Sequence, residues 1–309
     1  MRVIFAGTPT PAIASLEALA ASGHEVVAVL TRPEAPRGRG RSLHPSEVAV
    51  AAERLGLPVL TPRSLRDPDV QRAVADLGAD AAAVVAYGQL VPAALLALFP
   101  WVNLHFSLLP RWRGAAPVQR AIAAGDHVTG ACAFLLEEGL DTGPVLARME
   151  RPIGANETAG EVLEDLSTAG APVLVAALDA LADGTARPKP QPQEGVTLAP
   201  KVTVDEAGVD WALGATEIAL RIRAFTPAPG AWARLRDGMR VKLRSVTAGG
   251  PAGLEPGELR VAKNEVHVGT GEGAIRLGDV APAGRSWMDA AAWGRGLRGE
   301  VRFAVGEGQ

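Results

Sequence analysis

Short apolar runs alternate with helix-like segments along the first part of the chain. The runs are almost continuously apolar, which is typical of parallel strands buried on both faces. They lie at residues 3–6, 26–30, 81–86 and 102–105. Stretches with helical periodicity separate them, at residues 12–22, 46–55, 68–77 and 92–97. This alternation favours right-handed βαβ units and therefore an α/β domain built on a doubly wound, mostly parallel sheet.

The pattern changes beyond this sheet. Apolar runs at 130–136 and 144–153 flank a glycine-containing turn and predict a hairpin. A long helix is expected over 158–181, because Thr158 and Glu161 have the spacing of a capping box. Residues 183–200 contain four prolines and few apolar side chains, which indicates an extended linker.

The last third of the chain has the pattern of a small β domain. A helix is predicted at 215–225, and short β-like runs separated by glycines follow it. These runs lie at residues 231–235, 241–246, 257–261, 265–270 and 274–280. Five short strands at this spacing suggest a β-barrel that resembles the OB fold. We therefore expect an α/β domain over 1–184, a proline-rich linker over 185–204 and a smaller C-terminal β-barrel over 205–309.

Composition and charge narrow the class of protein. The chain has 309 residues and a net charge of −3, with 31 basic against 34 acidic side chains, so it is not a uniformly basic nucleic-acid coat. Residues 215–244 nevertheless hold seven basic and two acidic side chains, a local charge of +5. The single cysteine excludes a disulfide framework and fits a reducing cytoplasm. No apolar run reaches the ~20 residues of a membrane span, so we expect no membrane association.

The strongest candidate site follows the last strand of the predicted sheet. Asn103 and His105 are two residues apart, so their side chains point to the same face of that strand. The carboxyl edge of a parallel sheet is where α/β domains place their ligands. An amide beside an imidazole can stabilise the oxyanion that develops in acyl chemistry. The alternative is a pair of polar residues that cap the end of a strand.

Asp141 is the third candidate, in the sequence Gly139-Leu140-Asp141-Thr142-Gly143. The flanking glycines permit a sharp turn that can bring a carboxylate into a site. The alternative is an Asx-turn residue that only satisfies its own backbone. No histidine shows the spacing of a metal ligand, and neither a dinucleotide loop nor a P-loop is present, so we expect no metal and no nucleotide cofactor.

A basic loop follows the second predicted strand. Residues 31–45 contain four arginines and one glutamate among glycines and prolines. Arg37, Arg39 and Arg41 could contact a phosphate backbone from such a loop. The alternative is a solvated turn in a chain that is rich in arginine throughout.

Taken together, these motifs resemble the methionyl-tRNA formyltransferase family over almost the whole chain. The matching segments are FAGTP at the N-terminus, AYGQLVP at 86–92, NLHFSLLPRWRGAAPVQRAI at 103–122, GLDTGP at 139–144, LAPKV at 198–202 and IRAFTPAPGAW at 222–232. The basic loop and the C-terminal barrel distinguish the tRNA enzyme from other folate-dependent formyltransferases. The chain departs from the family pattern at Thr10, Pro11 and Leu198.

The resemblance implies transfer of a formyl group from 10-formyltetrahydrofolate, the co-substrate, to the α-amine of methionyl initiator tRNA. It implies that Asn103, His105 and Asp141 are catalytic. It places the folate against four consecutive residues, namely Ser107, Leu108, Leu109 and Pro110. It also implies a cytoplasmic monomer whose C-terminal barrel binds tRNA.

Two rival functions remain open at this point. One is a formyltransferase acting on a small amine such as glycinamide ribonucleotide or an amino-sugar nucleotide. The C-terminal hundred residues count against the first amine, and the arginine loop counts against the second. The other rival is an RNA-binding module without activity, against which the intact Asn103, His105 and Asp141 set argues.

Overall fold

The structure is a computed structural model that describes residues 1–37 and 42–306. It contains two compact units. The first comprises Met1–Gly114, Val128–Pro152 and Leu163–Ala199, and the second comprises Ala115–His127, Ile153–Val162 and the residues from Pro200 onward. Each unit therefore takes segments from more than one part of the chain.

Eleven strands precede residue 200 in the described chain. They are β1 (Arg2–Gly7), β2 (Glu25–Leu30), β3 (Ala35–Arg37), β4 (Ser42–His44), β5 (Val59–Leu60), β6 (Ala81–Val85), β7 (Trp101–His105), β8 (Arg113–Gly114), β9 (Val128–Leu135), β10 (Val145–Pro152) and β11 (Leu198–Ala199). The helices of the same stretch are α1 (Ile13–Ala20), α2 (Glu47–Arg54), α3 (Pro68–Asp76), α4 (Ala93–Leu96), α5 (Pro117–Ala123) and α6 (Ala159–Ala182).

The main sheet of the first unit confirms the predicted α/β class. Its strand order is β10-β9-β7-β6-β1-β2-β5. The five strands from β7 to β5 are parallel, whereas β9 and β10 run antiparallel as a hairpin at one edge. The chain leaves β1 towards β2 and β5 and returns on the other side of β1 to form β6, so the strand order reverses between β1 and β6. Ligands of open α/β sheets bind at such a switch point.

Burial explains why these strands form where the apolar runs lie. The side chains of Val3–Ala6 are completely buried in β1, as are all five residues of β6 or nearly so. Several helices begin at residues that satisfy free backbone N–H groups. Ser46 accepts a hydrogen bond from the N–H of Ala49, and Asp67 accepts one from Asp69. Thr158 and Glu161 exchange the hydrogen bonds of the predicted capping box.

Helix α6 is long and apolar enough to cross a membrane by length and composition. Its buried side chains include Leu166, Leu174 and Leu178. Gly170 lies where an added Cβ would be 3.2 Å from Leu104 of β7 and 3.3 Å from Ala131 of β9. The apolar face of α6 thus covers the main sheet, which accounts for its hydropathy.

Two parts of the basic loop, β3 and β4, form short strands. Strands β3 and β4 pair in antiparallel register, with Arg37 opposite Ser42. The backbone of Arg37 ends β3, whereas Arg39 and Arg41 lie outside the described residues. All three residues of β4 are exposed.

The proline-rich segment after α6 is extended but is held by hydrogen bonds within the first unit. The backbone groups of Lys189 and Val145 exchange two hydrogen bonds of 2.8 and 2.9 Å. Further along, β11 pairs in parallel with β8 through Leu198 and Arg113, and through Ala199 and Gly114. Residues 189–199 are therefore part of the structure that surrounds β8.

The second unit contains the predicted β-barrel. Its elements are α7 (Ala215–Ala224), β12 (Trp232–Arg234), β13 (Arg240–Ala248), β14 (Leu259–Val261), β15 (Val266–Gly269), β16 (Ala274–Pro282), β17 (Met288–Asp289) and α8 (Ala290–Gly296). The antiparallel order β12-β13-β16-β15-β14 leaves β12 and β14 at opposite edges, and β17 adds to β16. Residues 302–304 pair with both edges, because Phe303 bridges Leu235 and Arg302 bridges Glu258. The curled sheet confirms the predicted C-terminal barrel.

Candidate active site

The candidate site lies at the carboxyl end of β7, between the parallel part of the main sheet and its antiparallel hairpin. Asn103 is opposite Val84 of β6 on one side and Phe134 of β9 on the other. His105 ends the strand opposite Cys132. Alternation along β7 places Asn103 and His105 on one face, whereas Leu104 faces α6. The two residues predicted from their spacing thus share a face at the expected edge.

The environment of His105 fixes its tautomer. Its Nε2 atom is 2.8 Å from the carbonyl oxygen of Trp112, which can only accept a hydrogen bond, so Nε2 carries a proton. The other ring nitrogen, Nδ1, faces Asp141. Phe134 packs edge-on against the imidazole, with ring centroids 6.3 Å apart.

Burial sets the charge state of the imidazole. Only 6 % of the His105 side chain is exposed. This burial lowers the pKa of His105 from its ordinary value, against the opposing effects of the nearby Asp141 carboxylate and of the Trp112 carbonyl. His105 is therefore neutral at pH 7, with Nδ1 free to accept a proton.

Asp141 reaches the site from the turn after β9. The distance from its Oδ2 atom to Nδ1 of His105 is 3.7 Å. The same oxygen accepts a hydrogen bond of 2.7 Å from the backbone N–H of Gly114. Asp141 has a φ of +51°, a left-handed conformation that few residues other than glycine adopt. The turn is therefore held in a specific shape that brings the carboxylate to His105.

The donor to Asp141 must be a glycine. Gly114 has a φ of +129°, and a Cβ atom there would lie 2.6 Å from the carbonyl oxygen of Ala199. The close pairing of β8 with β11 thus places the Gly114 N–H against the carboxylate. This contact joins three separated segments of the first unit at one point.

The loop after β7 contains the four residues assigned to folate. The Ser107 hydroxyl is completely buried and donates to the carbonyl of Arg111 at 2.6 Å, which closes the loop on itself. Leu109 is buried with Cys132 and Phe134, and Leu108 packs against the same cluster. The Leu109–Pro110 peptide bond is cis. Leu108, Leu109 and Pro110 thus lie directly beyond the strand that carries Asn103 and His105.

The sequence did not indicate several groups that complete the site. The carbonyl of Trp112 and the N–H of Gly114 are backbone groups, which a motif does not reveal. Gln191 also contacts the Asp141 turn, from the segment predicted to be a linker. In the described part of the chain, no group of three or more metal-binding side chains occurs.

A half-buried amide, a neutral imidazole and a carboxylate at a sheet edge suit the transfer of an acyl group to an amine. Comparison with known proteins agrees with this chemistry. The formyl transferase family matches residues 1–178, and the formyl transferase C-terminal domain matches residues 201–298. The chain belongs to the formyl transferase family.

A relative from Nocardioides sp. is similar to this chain over almost its whole length. It is named methionyl-tRNA formyltransferase and is 53 % identical over 311 aligned residues, which cover 99 % of this chain and 98 % of the relative. Nearly all of both chains is therefore shared, including both units described above.

Solved structures share the fold at much lower identity. An N-formyltransferase from Helicobacter canadensis, in complex with folinic acid and dTDP-3-aminofucose, has a TM-score of 0.67 and 16 % identity over 90 % of this chain and 98 % of its own. HypX from Aquifex aeolicus, in complex with tetrahydrofolic acid, has a TM-score of 0.64 and 17 % identity over 95 % of this chain. This chain spans about half of HypX, 46 % of its length.

Proposed function

We propose that this protein transfers the formyl group of 10-formyltetrahydrofolate to the α-amine of methionyl initiator tRNA. The observation that carries the proposal is the 53 % identity, over nearly the full length of both chains, to a relative named methionyl-tRNA formyltransferase. The candidate site supports it, because Asn103, His105 and Asp141 occur together at one edge of the sheet. The product is N-formylmethionyl-tRNA for the initiation of translation.

The catalytic roles follow from the geometry of the three side chains. The α-amine attacks the formyl carbon, and Asn103 donates a hydrogen bond to the developing oxyanion. An α-amine has a pKa of ~7.7–8.0, so much of it is nucleophilic near neutral pH without a strong base. Attack leaves a proton on the nitrogen of the amine. His105 can accept that proton only at Nδ1, since Nε2 is engaged by Trp112.

Asp141 stabilises the imidazolium that results. Its carboxylate lies 3.7 Å from Nδ1, close enough to attract the positive charge of the ring. The tetrahedral intermediate then collapses, the bond from the formyl carbon to N10 of the folate breaks, and N10 takes up the proton. His105 and Asp141 are thus proposed to move one proton from the amine to the leaving nitrogen.

Folate would bind along Ser107, Leu108, Leu109 and Pro110. These residues continue from the strand that carries the catalytic groups, so a formyl donor bound there lies close to Asn103. Binding of tetrahydrofolic acid by HypX, which shares the fold, supports a folate site in this architecture. We propose that no metal and no nucleotide cofactor takes part.

Two regions are proposed to bind tRNA. One is the basic loop with Arg37, Arg39 and Arg41. The other is the face of the C-terminal barrel that carries Arg240 and Arg244, whose guanidinium groups lie over aromatic rings. Arg240 lies 4.1 Å above the Trp232 ring, and Arg244 lies 4.4 Å above that of Trp287. Arginines on such a surface suit contact with a phosphate backbone. Of the two rings, Trp232 is buried and only Trp287 is exposed, so Trp287 is the one that a base could stack on.

The remaining expectations are proposals of the same kind. Catalytic, linker and tRNA-binding domains would span 1–184, 185–204 and 205–309, and the two family matches end and begin near those limits. We propose a cytoplasmic monomer, because tRNA and reduced folates are cytoplasmic substrates and Cys132 is buried as a free thiol. Burial raises the pKa of that thiol to about 11, so it is unreactive.

The rival substrate is an amino-sugar nucleotide, such as the ligand of the Helicobacter canadensis enzyme. A direct experiment separates the two. The protein is incubated with 10-formyltetrahydrofolate and either methionyl initiator tRNA, methionyl elongator tRNA or an amino-sugar nucleotide, and formylated product is measured. The proposal is supported if kcat/KM for methionyl initiator tRNA is much larger than kcat/KM for the elongator tRNA and for the amino-sugar nucleotide. Preferential formylation of the sugar would refute it.

A further inference from the structure

Gln191 connects the turn that carries Asp141 to strand β8. Its Nε2 atom donates to the carbonyl oxygens of both Asp141 and Gly143, each at 2.8 Å. Its Oε1 atom accepts two hydrogen bonds from the guanidinium of Arg113, at 3.1 and 2.7 Å. One half-buried amide thus uses both of its ends.

The orientation of this amide is unambiguous. Backbone carbonyls only accept hydrogen bonds and a guanidinium only donates them, so the nitrogen must face the turn and the oxygen must face Arg113. The two carbonyls belong to the first and last residues of the segment Asp141–Gly143, and Asp141 itself has a φ of +51°. A conformation of this kind persists only where surrounding contacts hold it.

The segment that contains Arg113 also contacts both His105 and Asp141. Arg113 follows Trp112, whose carbonyl accepts from His105, and precedes Gly114, whose N–H donates to Asp141. Gln191 therefore connects the segment that orients the imidazole to the turn that presents the carboxylate. A change in its side chain is expected to alter the distance between the imidazole and the carboxylate, although Gln191 contacts only the backbone of Asp141.

We propose that Gln191 is a positioning residue that sets the placement of Asp141 relative to His105. The expected changes in kcat rest on the proposed formyl transfer. The placement of Asp141 relative to His105 does not depend on it. The proposed linker that carries Gln191 then also supports the catalytic centre.

The chain offers a matched control two residues away. Gln193 has the same residue type and also follows a proline, but it is exposed, and no hydrogen bond of its side chain occurs among the described residues. Replacement of Gln193 by alanine changes the composition of the segment equally. It leaves the Asp141 turn untouched.

The kinetic test compares Gln191→Ala with Gln193→Ala in the full-length protein. Gln191→Ala is expected to lower kcat about 10- to 100-fold, because a displacement of ~1 Å in a reacting group can cost ~10²-fold. KM for methionyl tRNA and for 10-formyltetrahydrofolate should stay within about threefold, since neither is bound by Gln191. Gln193→Ala should match the wild type. Equal kcat in the two variants would overturn the proposal.

A second variant covers the case in which alanine destabilises the segment. Gln191→Glu keeps the size and the contact with Arg113, but an ionised carboxylate cannot donate to the two carbonyls. Its kcat should fall while its melting temperature stays near that of the wild type. A proportional fall in melting temperature and in active fraction, with kcat per folded molecule unchanged, would assign Gln191 a purely structural role.

A double-substitution cycle tests whether Gln191 acts through Asp141. In an Asp141→Ala background, measured by single-turnover formylation, Gln191→Ala should have almost no further effect. Independent roles would multiply the two losses, and that result would refute the inference.

A final measurement does not depend on the substrate. The titration of the His105 ring is followed by NMR in the wild type and in Gln191→Ala. A carboxylate that has moved away favours the imidazolium less, so the pKa of His105 should fall further in the variant. An unchanged titration would refute the positioning role even in a protein that formylates methionyl tRNA. A changed titration in a protein that formylates only another amine would refute the proposed substrate but keep the inference.

Discussion

The negative charge of Asp141 can be removed without changing the shape of its side chain. Asparagine has nearly the same size, can still accept from the N–H of Gly114, and tolerates the left-handed backbone better than most residues. Asp141→Asn therefore isolates the attraction between the carboxylate and a protonated His105. It does not remove the contacts that hold the turn.

The geometry gives the size of the expected effect. Two unit charges ~4 Å apart attract each other by about 4 kcal/mol at an effective dielectric constant of ~20. The Asp141 oxygen and Nδ1 of His105 are 3.7 Å apart, and their side chains are 14 % and 6 % exposed. Since ~1.4 kcal/mol corresponds to a factor of ten in rate, full loss of this attraction would cost about 10³-fold, and partial screening by solvent reduces it to ~10²–10³.

The assay is single-turnover formylation of methionyl initiator tRNA, with formylated and unformylated tRNA separated on acidic gels. Asp141→Asn should lower kcat by the stated factor and leave both KM values within a few-fold. Circular dichroism and the melting temperature serve as the control for folding. If Asp141→Asn retained more than half of the wild-type kcat, the carboxylate would not act on a charged His105 and the proposed proton transfer would be wrong.

Further predictions address other parts of the molecule. Asn103→Ala should lower kcat by ~10²–10³, the usual loss for an oxyanion donor, and a normal kcat would remove Asn103 from the mechanism. The His105 ring should titrate below pH 6.5 when it is followed by NMR, because burial lowers its pKa from that value; a midpoint above pH 6.5 would contradict this. Arg39→Ala should lower kcat/KM for initiator tRNA. The slope of log(kcat/KM) against log[salt] should become less steep by roughly one unit for each phosphate that is no longer neutralised, whereas folate affinity should not change. Glu206→Gln should reduce the free energy of unfolding by about 1 kcal/mol at pH 7, since the hydrogen bond from Arg120 lowers the Glu206 pKa; this difference should vanish in urea titrations as the pH falls below the value of 4.5 for a free glutamate.

The parts of the fold that were predictable are those with a long or strong pattern. β1, β2, β6 and β7 are built on apolar runs, and their predicted limits differ from the observed ones by at most one residue. β5 was not predicted, because its two residues are too few to show any periodicity. α5, which has seven residues and begins at a proline, was not predicted either.

The site shows the same limit more clearly. Asn103 and His105 could be paired from their spacing, because a strand's alternation is fixed by its geometry. Gln191 and Gln193 could not be told apart, since each follows a proline in the same polar segment. Only the return of that segment past β8 gives one of them a partner. A contact between residues that are distant in sequence cannot be predicted from the residues on either side of one of them.

Closure of the C-terminal barrel by residues 302–304 has a consequence for the handling of the chain by the cell. Phe303 donates its N–H to Gly257 at 2.8 Å, and Ala304 donates to Arg234 at 2.8 Å. Before these bonds form, both outer strands of the barrel present unpaired backbone groups, the arrangement through which sheets of different molecules associate. A chain in which β12 and β14 have formed, but residues 302–304 have not yet paired with them, is thus the form most prone to aggregation. Phe303→Pro, which removes one of the closing donors, is the change that would prolong it.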